Sequence, residues 1–179
     1  MSDQPRSRPE PAEYREYSAR YVSLVQEADV LSLMDAQAGL VQNALAGLSG
    51  ERSGHRYAPG KWSVREALGH MIDTERVFGF RALAVARGET WALPGFDENA
   101  YAAIAGADRV PIGELAEEFA TVRRSHVLMF RHLDEAAWRR IGTVYEHPTS
   151  VRALAFIMAG HVRHHATIFA ERYGIPVRA

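Results

Sequence analysis

The segment His161-Val162-Arg163-His164-His165 sets two imidazoles, His161 and His165, four residues apart. On a helix that spacing turns both onto one face, and it is how a helix supplies two nitrogens to one metal ion. The apolar stripe through Leu154, Ile157 and Met158 continues through 161 and 165 to Ile168, so both rings fall where the chain should face its core. A chance pair, one core histidine and one surface histidine, is the competing reading. The stripe weighs against it, because two buried imidazoles without a shared partner are costly. His164 is turned toward the flank. A third nitrogen must come from another helix, and His70, within Ala67-Leu68-Gly69-His70-Met71-Ile72, is the best placed, with Gly69 permitting close approach of a neighbour. His55, His126, His132 and His147 fall in loops or on less apolar faces and receive no role. Three imidazoles leave a coordination position open for water or substrate, as in catalytic sites. Imidazole does not select one metal. A divalent ion is expected, zinc first on abundance, with nickel, copper, iron or manganese as alternatives.

Two familiar metal sites are absent from the sequence. A zincin protease needs Glu directly after its first histidine, where this chain has Val162. A ferritin-like di-iron site needs two Glu-x-x-His motifs; Glu66 precedes His70 by four residues, not three.

The elements that must position these histidines read as helices. Asp29 is a good N-cap for a helix carrying Leu31, Met34, Ala38, Val41 and Leu45. Ser63 with Glu66 forms a capping box for a second, which carries His70 and should stop near Gly88. Residues 90–109 are a long connection with a short helix expected over Asn99 to Ala105, and connections of this length are often functional. Pro111 suits the first turn of a third helix. A single turn is expected over Asp134 to Arg140, and the last helix starts after Pro148, capped by Thr149 or Ser150, ending at Gly174. A further helical piece is expected around Tyr14 to Val25. No strand or hairpin pattern stands out. Four long helices with inward apolar stripes predict an all-α, up-down four-helix bundle, with a flexible N-terminal extension over residues 1–12 and one domain over 13–179.

Composition agrees with that class. The chain has 179 residues, 47% hydrophobic and 24% charged, with a formal net charge of -1, so nothing suggests a nucleic-acid partner. The basic pairs Arg123-Arg124 and Arg139-Arg140 read as solvated helix faces. With no cysteine, disulfides, thiolate metal sites and cysteine nucleophiles are excluded. The N-terminus has no apolar core of a secretory signal and no apolar run reaches bilayer length, so no membrane partner and a cytoplasmic location are expected.

Ala58-Pro59-Gly60-Lys61-Trp62-Ser63-Val64, then Leu68-Gly69-His70, then His161-x-x-His164-His165 resemble the DinB/YfiT-like superfamily, over most of the chain from about Asp29. The resemblance implies a four-helix bundle with a metal held at positions that map to His70, His161 and His165, and often a homodimer. Characterised relatives of that kind include metal-dependent thiol transferases and a thiol-using maleylpyruvate isomerase; others are named metal hydrolases.

Three functional readings follow. In the first, the metal activates an external low-molecular-weight thiol (bacillithiol, mycothiol or glutathione) for attack on an electrophile. In the second, the ion generates hydroxide for hydrolysis, with Asp73, Glu75, Asp97 or Glu98 as base. The third is a non-catalytic, stress-linked metal-binding protein, favoured by a fourth protein ligand. Asp73 is a candidate to orient an imidazole. Trp62, Tyr57, Trp91 and Phe96 are candidates to wall the pocket mouth, and simple packing is the stronger reading for Trp62.

Overall fold

The computed structural model describes residues 7–178. In chain order its helices and strands are α1 (Ala19–Val22), α2 (Val30–Leu45), α3 (Gly50–Gly54), α4 (Val64–Ala86), α5 (Glu98–Ala105), α6 (Ile112–Arg131), α7 (Glu135–Arg139), β1 (Ile141–Val144), β2 (His147–Ser150) and α8 (Val151–Tyr173). Three of the four long helices begin where side chains satisfy free N–H groups. Asp29 accepts from Leu31 N and Ser32 N, Ser150 accepts from Ala153 N, and Ser63 and Glu66 exchange reciprocal bonds in the capping box. Pro111 precedes α6. Gly174 closes α8 at φ 64, a conformation that favours glycine.

The four long helices form the expected bundle. Around it, α2 packs on α6, α6 on α4, α4 on α8 and α8 on α2, so α2 and α4 lie diagonally, as do α6 and α8. Two apolar clusters fix the directions. One joins the start of α2 (Val30–Met34) and of α8 (Val151–Ala159) to the ends of α4 (Ala82–Ala86) and α6 (Val127–Phe130). The other joins Val41 and Leu45 of α2 and Val162–Tyr173 of α8 to the starts of α4 and α6. The helices therefore run up, down, down, up. Strict alternation is not kept, because the connection over residues 87–111 carries the chain back to the end of the bundle where α4 began.

Three local expectations are corrected. First, β1 and β2 form an antiparallel hairpin, pairing Ile141 with Ser150 and Val144 with His147. Its two turn residues, Tyr145 (φ 48) and Glu146 (φ 65), are both left-handed. Such turns usually advertise themselves with Asn or Gly, and this one does not. Leu93 adds to the hairpin, donating to Thr143 O at 2.9 Å and accepting from Tyr145 N at 2.8 Å, which pins the long connection. Second, the N-terminal extension is docked as far as it is described; residues 1–6 of it lie outside the described residues. Arg8 donates to Val22 O at 3.0 Å and also to Val25 O, Pro9 is buried, and Glu13 receives Arg152 Nε at 2.8 Å. Proline-rich composition does not reveal such distant anchors. Third, Arg123 is fully buried, while Arg124 is exposed. Arg123 lies four residues after Phe119 and four before Val127, on the inward stripe, and that spacing was the signal available. Among the described residues no helix is long and apolar enough to cross a membrane.

Candidate metal centre

His70 sits in the second turn of α4, on the face turned to α8, and His161 and His165 sit mid-way along α8. All three are buried. His161 Nε2 lies 3.2 Å from His70 Nε2 and 3.1 Å from His165 Nε2, and the three donor nitrogens fall within 4.8 Å of one another. Hydrogen bonding accounts poorly for this convergence. An imidazole nitrogen offers either one proton or one in-plane lone pair, yet Nε2 of His161 faces two other nitrogens. A shared cation accounts for it: two imidazoles bound tetrahedrally at 2.0–2.1 Å stand about 3.3–3.4 Å apart. Among the described residues the donor set contains three, all histidine; three ligands to a tetrahedral ion would leave one position for an exogenous ligand.

Electrostatics favour the neutral, lone-pair-bearing form. Burial pushes the His70 pKa down to about 4, against an opposing pull from the Glu98 carboxylate. Burial, with the neighbouring imidazoles, holds His161 and His165 well below the ordinary histidine value. A metal competes with no proton at such rings above mildly acidic pH.

Aromatic rings and close backbones hold the rings in place. Trp62 lies tilted over His70, centroids 4.8 Å apart, and its carbonyl accepts from Tyr173 OH at 2.7 Å. Tyr21 of α1 meets His161 and His164 edge-on at 5.5 and 5.6 Å. That contact needs Gly160: a Cβ there would sit 2.0 Å from Tyr21 O. Gly69 gives room to the turn at Ala107, whose Cβ would stand 2.9 Å from an added one. The helix neighbour expected at Gly69 is thus a short turn. The His70 orienter is Thr74, one turn along α4, whose Oγ1 lies 3.5 Å from Nδ1; with Nε2 facing the centre, Nδ1 carries the proton and donates. Asp73 makes no hydrogen bond to His70 among the described residues. His165 Nδ1 is buried without a partner among the described residues.

Two cavities meet at the triad. The first, about 290 Å³, is walled by Tyr17, Phe78, Phe96, Tyr145 and Ile157 and reaches His70 and His161. The second, about 300 Å³, has Arg20, Lys61, Asn99, Tyr57 and Trp62 around His70 and His165. Tyr21, His70 and Glu98 border both. Of the four candidate carboxylates, Glu98 alone reaches these cavities. Glu75 is engaged by Arg123 at 2.7 Å, Asp97 caps α5, and Asp73 is half-buried elsewhere. Tyr57 and Phe96 line the cavities, and so does Trp62, for which simple packing is the stronger expectation, whereas Trp91 stands in solvent and lines neither.

A family model described as the DinB superfamily matches residues 33–169. No curated protein matches the chain. Among solved structures, the chain superposes with a TM-score of 0.72 and 15% identity, over 93% of each chain, on one described as "YfiT from Bacillus subtilis is a probable metal-dependent hydrolase with an unusual four-helix bundle topology". At that identity the likeness is one of fold.

Proposed function

The chain belongs to the DinB superfamily, and from that premise we propose that His70, His161 and His165 hold a divalent metal ion at which a low-molecular-weight thiol is activated for transfer to an electrophile. The observation that carries the reading is the convergence of three buried imidazoles where two cavities meet. A transfer reaction needs two substrate sites, and hydrolysis needs one. A bound divalent cation supplies a Lewis acid that lowers the pKa of a coordinated thiol or water.

The chain's own residues do the rest. The second cavity, with Arg20 and Lys61 on its wall, suits a thiol that carries carboxylates. The aromatic first cavity suits an apolar electrophile. Glu98, at the border, accepts the S–H proton; the sulfur forms a bond to the electrophilic carbon, and that carbon's bond to its leaving group breaks with the electron pair departing. Thr74 and Trp62 keep the His70 ring oriented while this happens.

Hydrolysis is the second reading, favoured by Glu98, which can equally take a proton from water, and by the hydrolase description of the structural relative. The homodimer is part of the proposal, checked by light scattering.

The test is metal analysis with activity. We expect about one metal per chain, lost in His161→Ala, and a metal-dependent rate with glutathione, bacillithiol or mycothiol and 1-chloro-2,4-dinitrobenzene. Metal-dependent ester turnover without thiol would replace transfer by hydrolysis. Absence of metal from folded wild type would remove the centre altogether.

A further inference from the structure

Arg81 is the one guanidinium in the first cavity that is buried, being 6% exposed. It is also without a carboxylate partner among the described residues. One nitrogen donates to Pro94 O at 2.6 Å, and the group lies over the Phe78 and Phe96 rings at 5.0 and 5.7 Å. None of its other nitrogens is sealed in protein without a bond, so those donors open into the cavity. Elsewhere the chain gives its buried guanidiniums carboxylates, Arg123 with Glu75 and Arg152 with Glu13. A buried cation whose free donors face a cavity is the arrangement that receives an anion from outside.

The placement suits a substrate anchor. His70, Thr74, Phe78 and Arg81 fall on one face of α4, all lining the cavity. His70 and Arg81 are eleven residues apart, about 16 Å along the axis at 1.5 Å per residue, and an arginine on a helix reaches back toward the N-terminus, hence toward His70. The same cavity is lined by the apolar and aromatic side chains of Tyr17, Phe78, Phe96, Leu154 and Ile157. Two other charges face this space: Arg15, which reinforces an anion, and Glu98, which stands exposed at the triad end. The planar fork of arginine pairs best with a carboxylate.

We propose that Arg81 anchors the carboxylate of an elongated substrate whose aromatic or aliphatic body fills the first cavity and whose reactive end lies at the three-histidine centre. That the bound molecule is the electrophile rests on the transfer reading; that it is an anion does not.

The probes are 4-phenylbutyrate and its neutral isostere 4-phenylbutyramide, titrated calorimetrically into the full-length, metal-loaded protein. Wild type should bind the acid at least tenfold more tightly than the amide. Arg81→Gln, which keeps an N–H for Pro94 O but loses the charge, should abolish the preference; Arg81→Lys should restore part of it. The metal-free His161→Ala variant should keep it. Equal affinity of acid and amide for wild type overturns the proposal whatever the variants do. Loss of the preference in His161→Ala with retention in Arg81→Gln would place the carboxylate at the metal and overturn it too. A protein that prefers the acid through Arg81 yet shows no thiol-dependent rate retains this anchor and loses only the transfer reading.

Discussion

Two of the polar clusters buried in this bundle keep their polarity in opposite ways. Near the middle, Arg123 of α6 donates to Glu75 of α4 at 2.7 Å, to Gln37 of α2 at 3.2 Å and to Met158 O of α8 at 3.2 Å, while Gln37 donates to Ala159 O at 3.0 Å. His126 meets the other Glu75 oxygen at 3.1 Å. This layer touches all four long helices and is internally neutralised. The histidine triad, which begins within one turn of Met158 and Ala159 on α8, contains no countercharge. It is neutral because its rings give up protons, and its nitrogens converge on a common point instead of on partners. A buried polar group that is satisfied internally does structural work; one left facing its own kind, or a cavity, waits for something from outside.

The comparison breaks most visibly at Arg123. Arg123→Ala should cost roughly 3–5 kcal/mol in urea denaturation by stranding Glu75, whereas Glu75→Leu with Arg123→Met should come close to wild-type stability, as paired replacements of buried ions often do. Metal content per folded chain should be unchanged in both. If the double variant is as unstable as the single one, the layer is more than a compensated pair.

Acid should separate the two clusters next. His70 has a folded pKa of about 4, depressed by burial, against about 6.5 when unfolded. A depressed folded pKa favours folding fully above the unfolded value, and the gain is lost as pH falls from about 6.5 to about 4, because the unfolded chain takes up protons that the folded one refuses. His161 and His165 act in the same direction. The metal-free protein should therefore lose stability steadily across that window, and His70→Phe should flatten the slope. A flat wild-type profile would mean that the rings are solvated.

A smaller effect is expected at Gly79, where an added Cβ would lie 2.1 Å from His126 Nε2. Gly79→Ala should cost about 1–3 kcal/mol as an overpacked site and leave metal binding alone. Smaller again is Thr74→Val, which removes the Nδ1 contact of His70 and should weaken metal affinity about tenfold, at the low end for an outer-shell partner; competition with a chromogenic chelator measures it.

How legible each cluster was follows from what its residues look like in a stripe. His161, His165 and His70 interrupt apolar stripes with a residue type that has an obvious shared use, so the convergence could be read from spacing. Arg123 interrupts a stripe just as regularly, yet an arginine beside another arginine reads as solvated surface. Only the partner 48 residues away on α4 makes its burial tolerable, and no local pattern exposes that pairing. Glu98 was named among four carboxylates but could not be separated from them, since the hairpin that holds its loop over the site has Tyr145 and Glu146 where turn residues would be sought. Thr74, and not the candidate Asp73, meets His70 Nδ1; residues three and four positions on both lie beside His70 on a helix, so spacing alone does not choose between them.

His70 and His161 are 91 positions apart, on helices that neither adjoin in sequence nor close a short loop. A chain leaving the ribosome cannot assemble the triad until nearly all of it has emerged and α8 has docked. Any ion captured there becomes a certificate of completed folding: fragments ending before α8 should have no means of earning it, and its release should herald the parting of α4 from α8.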